Sequence, residues 1–228
     1  KSSLRFRIKE TDEEYLIKIR DILGDKNVPI NRITHKYNHS FGCQTQPQSF
    51  LSFVSKQMIA DLQSYGLTNN KSYKIRLPEF SNKDLLRHFI QGYFDGDGGV
   101  WTEFSCSPRA RKDYKSLQFS LTSNFEFLTA LNEFFFSELG IRFSLKKDFK
   151  SNVYHIRMGG SKRVLSFLDW LYKDTPLYMK RKFEIYNEYK KNYIVRNNSK
   201  TSKYHGVCYA KDRNKFRAFI FNNGKQLA

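Results

Sequence analysis

One segment constrains this chain more than any other. It reads Leu86-Arg87-His88-Phe89-Ile90-Gln91-Gly92-Tyr93-Phe94-Asp95-Gly96-Asp97-Gly98-Gly99, an apolar helix with two glycines four apart that ends in two acids among further glycines. On a helix, Leu85, Phe89, Gly92 and Gly96 share one face, so a second helix can approach there at backbone distance. Asp97 stands at the end of that contact, where a partner helix could bring a second carboxylate alongside. Two carboxylates so placed repel each other unless a divalent cation lies between them, which is the layout of a metal-assisted phosphodiesterase. The plainer alternative is an amphipathic helix stopped by a glycine cap, with Asp95 and Asp97 as solvated turn residues.

Charge points the same way. The 228 residues carry 40 Lys and Arg against 22 Asp and Glu, a formal charge of +18 and a sequence pI near 9.8. Such a balance is the electrostatic footprint of a nucleic-acid binder, set against the alternative of a merely basic surface. With 21 Phe and 14 Tyr the chain can build a real core, which excludes disorder throughout. No apolar run approaches the roughly 18 residues of a membrane span, and no signal peptide opens the sequence as given. Cys43, Cys106 and Cys208 are widely spaced and form no Cys-x-x-Cys pair. They read as reduced thiols, so the expected setting is intracellular and reducing, either prokaryotic or phage cytoplasm or an organelle.

The chain repeats itself. Residues 4–24 and 117–140 share one plan. Each opens on an alternating strand, with Leu4, Phe6 and Ile8 in the first copy and Leu117, Phe119 and Leu121 in the second. A capping box follows, Thr11 to Glu14 and Ser123 to Glu126. Each helix then runs to a glycine, Gly24 or Gly140. Further alternating strands come next, and second helices are expected to begin near Phe50 and near Ser161.

With Ile90-Gln91-Gly92-Tyr93-Phe94-Asp95-Gly96-Asp97-Gly98 and this repeat together, the chain resembles the LAGLIDADG homing endonucleases. The resemblance implies an α+β fold of duplicated αββαββα lobes forming a saddle of two antiparallel sheets. It implies a site-specific double-strand break in a long DNA target by metal-dependent phosphodiester hydrolysis, serving the mobility of an intron or intein. Carried over by position, Gly92 and Gly96 are helix-packing glycines, Asp97 is the catalytic metal ligand, and Asp95 has a structural role at the helix end. Magnesium is the implied cofactor and double-stranded DNA the partner. A monomer of two pseudo-symmetric lobes is favoured over a homodimer. Two-repeat members carry one motif per lobe, and here the counterpart of Asp97 in the first copy would fall upstream of Lys1. The first motif helix is therefore absent from this chain, and the expectation is that it lay in residues preceding Lys1 rather than being lost or supplied by another chain. A lysine that organises water at the scissile phosphates is also implied near the end of the second lobe, and Lys180 and Lys182 are its candidates.

Strand periodicity supplies the candidate DNA contacts. Opposite the apolar face of the first strand stand Arg5, Arg7 and Lys9, and the matching strand of the second copy shows Gln118, Ser120 and Thr122. Lys74 and Arg76 alternate with Tyr73, Ile75 and Leu77, and His155 and Arg157 alternate with Tyr154, Ile156 and Met158. A face of such groups suits base edges and phosphates in a major groove, the alternative being an ordinary solvated sheet. Arg109 and Arg111 sit in a basic loop expected to grip phosphates.

Pro176 after Thr175 predicts a basic aromatic helix over residues 175–191, and residues 192–202 read as a linker. Beyond it, Ser202-Lys203-Tyr204-His205-Gly206-Val207 and Asn214-Lys215-Phe216-Arg217-Ala218 resemble the opening of an apetala-type DNA-binding domain. That implies a partial three-stranded sheet with Lys203, Arg213, Lys215 and Arg217 toward the groove. The expected organisation is a first lobe over 1–80, a second over 81–191, the linker, and the appended segment over 203–228. The alternative function is a non-cleaving nucleic-acid binder on the same scaffold, either an RNA maturase or a transcription factor.

Overall fold

Alternation in the sequence becomes alternation in the structure at the first strand. In this computed structural model, strand β1 (Leu4–Lys9) half-buries Leu4, Phe6 and Ile8 and exposes Arg5, Arg7 and Lys9. The described residues are 3–24, 26–39, 42–67, 74–105, 114–148, 153–198, 207–210, 214–218, 221–222 and 225–226. They divide into two units, Lys1–Tyr186 and Asn187–Ala228.

In the first unit, β1 is followed by helix α1 (Glu13–Ile22), the hairpin β2 (Asn31–His39) and β3 (Gly42–Phe53), and helix α2 (Lys56–Ser64). The second copy begins with helix α3 (Lys83–Asp97), which runs directly into β4 (Gly98–Ser105). Strand β5 (Tyr114–Ser123), helix α4 (Phe125–Leu139), strands β6 (Ser144–Lys147) and β7 (Tyr154–Gly159), and helices α5 (Ser161–Leu171) and α6 (Lys180–Asn198) complete it. Both sheets are antiparallel, one in the order β1-β3-β2 and the other β4-β5-β7-β6. Strands β1, β3 and β2 thus repeat β5, β7 and β6 in both sequence order and pairing. Among the described residues the first sheet has no counterpart of β4, and the first lobe has none of α3.

That difference shows in the cores. The second lobe buries a dense aromatic set: Phe94 stacks on Phe119 at 5.3 Å between ring centroids, and Phe119 meets Phe167 edge-on at 4.6 Å. Among the described residues the first lobe has a smaller buried cluster of Leu16, Leu51 and Phe53, flanked by Phe6, Ile8, Ile19, Val28, Ile30 and Met58. Aromatic pairs in such geometry add about 0.5–1.5 kcal/mol beyond area burial.

Several local expectations are corrected. Thr11 lies in a single 3₁₀ turn (Glu10–Asp12), and α1 starts at Glu13 with no side-chain cap. Glu14 pairs instead with Lys18, at 3.0 Å. In the second copy the cap is Asn124, whose side chain accepts from the Phe127 amide at 2.9 Å, because Ser123 is still paired to Tyr154 in the sheet. Gly140 does end α4, with φ +65° in the left-handed region that glycine tolerates. Phe50 stays in β3, and Ser55 caps α2. Lys74 and Arg76 are not in a strand: Ile75 is buried and its carbonyl accepts from Asn124 Nδ2 at 3.0 Å, while Arg76 folds back onto the Lys74 and Ile75 carbonyls. Tyr73 lies outside the described residues.

Helix α6 starts at Lys180, not at Pro176, and continues through Asn198 into what the composition suggested was linker. In the second unit, β8 (Val207–Ala210) pairs with β9 (Lys215–Ala218), and β10 (Phe221–Asn222) with β11 (Lys225–Gln226). These are two separate ribbons, not one three-stranded sheet, among the described residues.

Two glycines of the α3 segment have opposite surroundings. A Cβ on Gly92 would meet nothing within 4 Å, whereas one on Gly98 would lie 2.6 Å from the Phe94 carbonyl oxygen. Gly92→Ala is therefore expected to raise stability by about 0.5–1 kcal/mol, the helix preference of alanine. Gly98→Ala should lower it by about 1–3 kcal/mol through overpacking. Urea unfolding of the two variants beside the wild type checks both signs.

Candidate functional site

The site is built at the C-terminal end of α3. Buried Leu86, Ile90 and Phe94 hold one face of this helix against the second-lobe core. The opposite face is open: Leu85 is half exposed and Gly92, Gly96 and Asp97 are exposed. Among the described residues no second helix crosses at Gly92 or Gly96, and nothing comes within 4 Å of the place a side chain would take.

Asp95 is fully buried and serves as a junction. Its Oδ2 accepts from Gln91 Nε2 at 2.6 Å, from the Met179 amide at 3.1 Å and from the Tyr15 hydroxyl at 3.3 Å. Gln91 also donates to the Leu177 carbonyl and accepts from the Thr175 hydroxyl, so the chain entering α6 is laced onto α3. Burial pushes the Asp95 carboxyl up to about 6, against the opposing pull of these donors and of Lys182. Lys182 is 1% exposed, and its ammonium donates to the carbonyls of Phe94, Asp95 and Gly98 at 2.7, 2.8 and 2.6 Å. Burial lowers it to about 8. The N-terminal turn of α6 is also tied to the first lobe, through Arg181 to Asp12 at 3.1 Å and Lys180 to Glu14 at 3.7 Å.

Residues opposite each other in a sheet share a face. In the first sheet Arg5 opposes Ser52, Arg7 opposes Phe50 and Lys9 opposes Gln48, and the Arg5 guanidinium lies 5.0 Å from the Phe50 ring centre. In the second sheet Gln118 opposes Trp101, Ser120 opposes Gly99 and Arg157, and Thr122 opposes His155. Arg157 lies over the Trp101 ring at 5.7 Å, and Thr122 Oγ1 is 2.8 Å from His155 Nδ1. Each sheet thus presents one polar face of hydrogen-bonding and cationic groups.

No protein-family model matches the chain. Among curated proteins, 117 residues, 50% of the chain, are 29% identical to the replication factor C small subunit of Methanocaldococcus jannaschii. The match spans only 6% of that protein's length. Among solved structures, the chain is similar to the meganuclease I-SmaMI bound to uncleaveable DNA, with a TM-score of 0.59 at 13% identity over 86% of this chain and 80% of that one. It is also similar to the LAGLIDADG homing endonuclease I-LtrWI bound to target DNA, at 0.51 and 12% over 86% and 80% of the two chains. The chain has the LAGLIDADG homing endonuclease fold.

Within that fold, α3 is the motif helix and Asp97 its exposed terminal acid. Asp95, the motif's first acid, has the structural place expected of it. Lys182 is buried, with its ammonium on three backbone carbonyls. Lys180 remains exposed. Gln118, Ser120, Thr122, His155 and Arg157 gather on one face and Arg5, Arg7 and Lys9 on another, while Lys74 and Arg76 join neither. Arg109, Arg111, Lys203 and Arg213 lie outside the described residues. Lys215 is exposed, and the Arg217 backbone pairs with Cys208. Sequence reasoning missed Tyr15 and Thr175, whose bonds to Asp95 and Gln91 of α3 are long-range, and Gln91 itself, which joins Asp95 to the Leu177 carbonyl. It also missed Trp101, although the period-2 rule places it on the polar face of β4.

The two buried charges have opposite linkage to pH. Asp95 titrates higher in the folded chain than its ordinary 3.8, so between about pH 4 and 6 the folded state holds a proton the unfolded one releases. Stability therefore falls as pH rises through that window. Lys182 titrates lower than its ordinary 10.5, so stability rises as pH climbs from about 8 toward 10.5. Asp95→Asn should remove the fall between pH 4 and 6 and, by taking away a charge that holds Lys182 up, start the rise below pH 8. Urea titrations over the pH range measure this, and curves parallel to the wild type would place the carboxylate in water.

Proposed function

We propose that this chain is a site-specific DNA endonuclease of the LAGLIDADG type, with Asp97 as the acid that holds a divalent cation at the scissile phosphates. The observation that carries the reading is the exposed Asp97, fixed at the end of a motif helix with a buried lysine cap, in a fold shared with DNA-bound endonucleases. The polar sheet faces bind and orient the duplex. Arginine and lysine on β1 and Arg157 on β7 meet phosphates or guanine edges, and Gln118, Ser120 and Thr122 suit base hydrogen bonding. DNA is the proposed partner of these faces, and mobility of an intron or intein the proposed biological role.

The residues fit magnesium as one half of a site. Asp97 offers hard oxygen donors, and magnesium is commonly held by one or two carboxylates together with substrate phosphates. Among the described residues no group of three or more His, Cys, Asp or Glu gathers to hold a metal alone. Bound there, magnesium would neutralise charge on the phosphate and acidify a water. The chain's own part is to place Asp97 and to hold the duplex against both sheets.

The lack of a second acid-ended glycine helix among the described residues favours one other reading, a non-cleaving nucleic-acid binder such as an RNA maturase or transcription factor. Asp97→Asn separates the two. The endonuclease should lose on the order of 100-fold or more in cleavage rate. Duplex affinity should stay the same or tighten slightly, because a negative charge leaves the neighbourhood of phosphates. Magnesium-dependent cleavage and calcium-supported binding of the native insertion-site duplex read the two effects. Undiminished cutting by the variant ends the assignment of Asp97, and tight binding without cutting by the wild type supports the non-cleaving reading.

A further inference from the structure

We propose that Lys182 is a positioning residue for Asp97, holding the backbone on both sides of the acid; this rests on Asp97 being the metal-holding residue. A helix leaves its last carbonyls without partners, and the usual remedy is a glycine in the left-handed conformation just past the end. That remedy is not used here. Gly98, which ends α3, is extended at φ −88° and ψ 164°, because the chain turns straight into β4. The Gly98 amide closes back onto the Phe94 carbonyl. The carbonyls of Phe94, Asp95 and Gly98 converge instead on the Lys182 ammonium. Two of these precede Gly96-Asp97 and the third follows it, so the backbone is pinned on both sides of the acid at the helix-to-strand joint.

The side-chain chemistry is particular to lysine. An ammonium has three donors that fan from one atom, whereas a guanidinium presents a planar fork. A cation at a helix C-terminus also opposes the negative end of the helix dipole, which would otherwise add to the charge of Asp97. The buried ammonium is balanced by the buried Asp95 carboxylate, itself held by Tyr15, Gln91 and the Met179 amide. Met179 leads into the helix that carries Lys182, and the Lys182 amide donates to the Met179 carbonyl at 3.0 Å. One small assembly therefore sets the α3 terminus, the start of α6 and the α1 contact together.

The test compares Lys182→Met, Lys182→Arg and the double variant Asp95→Asn/Lys182→Met in the full chain. The double variant removes both members of the buried pair, so it keeps a fold that an unpaired carboxylate would undermine. Two measurements are made on each folded variant: amide hydrogen exchange at residues 96–99, and the magnesium dependence of cleavage of the native duplex. Loss of Lys182 should raise the half-saturating magnesium concentration by about tenfold or more, as loss of an outer support to a metal ligand does. The rate at saturating magnesium should recover much further, and exchange at Asp97, Gly98 and Gly99 should accelerate in the methionine, arginine and double variants alike. Unchanged magnesium dependence and unchanged exchange in any folded variant lacking Lys182 overturn the proposal. If the wild type does not cut, the endonuclease reading falls, and faster exchange in the variants still separates a pinned backbone from an unpinned one.

Discussion

The contact on which the most depends is the one between the Lys182 ammonium and the three carbonyls at the end of α3. A lysine taken fully out of water is unfavourable by several kcal/mol unless its protons and its charge are both answered. Here the carbonyls answer the protons and Asp95 answers the charge. Asp95 in turn can stay buried only because Gln91, Tyr15 and a backbone amide point at it. Removing any one member leaves another buried and unmatched, so the group behaves as a unit. Its practical effect is to let an α-helix become a β-strand without an intervening loop, with an exposed carboxylate at the joint.

The two lobes repeat one pattern with unequal means. Strand β1 stands where β5 stands, yet among the described residues β5 is paired on both sides and β1 on one. Among the described residues the second lobe has its motif helix, a fourth strand and a large aromatic core; the first has three strands and a smaller core in which Phe6 and Phe53 meet edge-on. Among the described residues the glycine face of α3 is likewise open.

What the sequence made legible was whatever rests on local periodicity. The face of β1, the faces of β5 and β7, the glycine stop of α4 and the motif helix itself all follow from spacings of two or of three to four. The fold was legible on the same ground, because the repeat doubles each signal. Lys74 and Arg76 alternate as a strand would, but Ile75 is drawn down to Asn124, a tertiary contact that no local pattern contains. Asn124 displaced Ser123 as cap because sheet pairing extended one residue further than the capping pattern suggested. Lys182 was the hardest to read. Within Lys180-Arg181-Lys182 the three cations look alike, and only packing against α3 buries the last of them while leaving the first in solvent.

The proposed hold of two polar sheet faces, one from each lobe, on a DNA duplex is tested most directly by titrating the native insertion-site duplex and a scrambled duplex across a salt series. The wild type is compared with the Arg5→Ala/Arg7→Ala/Lys9→Ala triple variant and with Arg157→Ala. Each phosphate that a substitution leaves without its cation should flatten the log-log salt slope by about 0.9, whereas removing a side chain that reads a base should narrow the gap between the two duplexes. The expected result is a flatter slope for the triple variant and a narrowed gap for Arg157→Ala. Slopes and preferences unchanged in both variants would put these faces in solvent and contradict the claim.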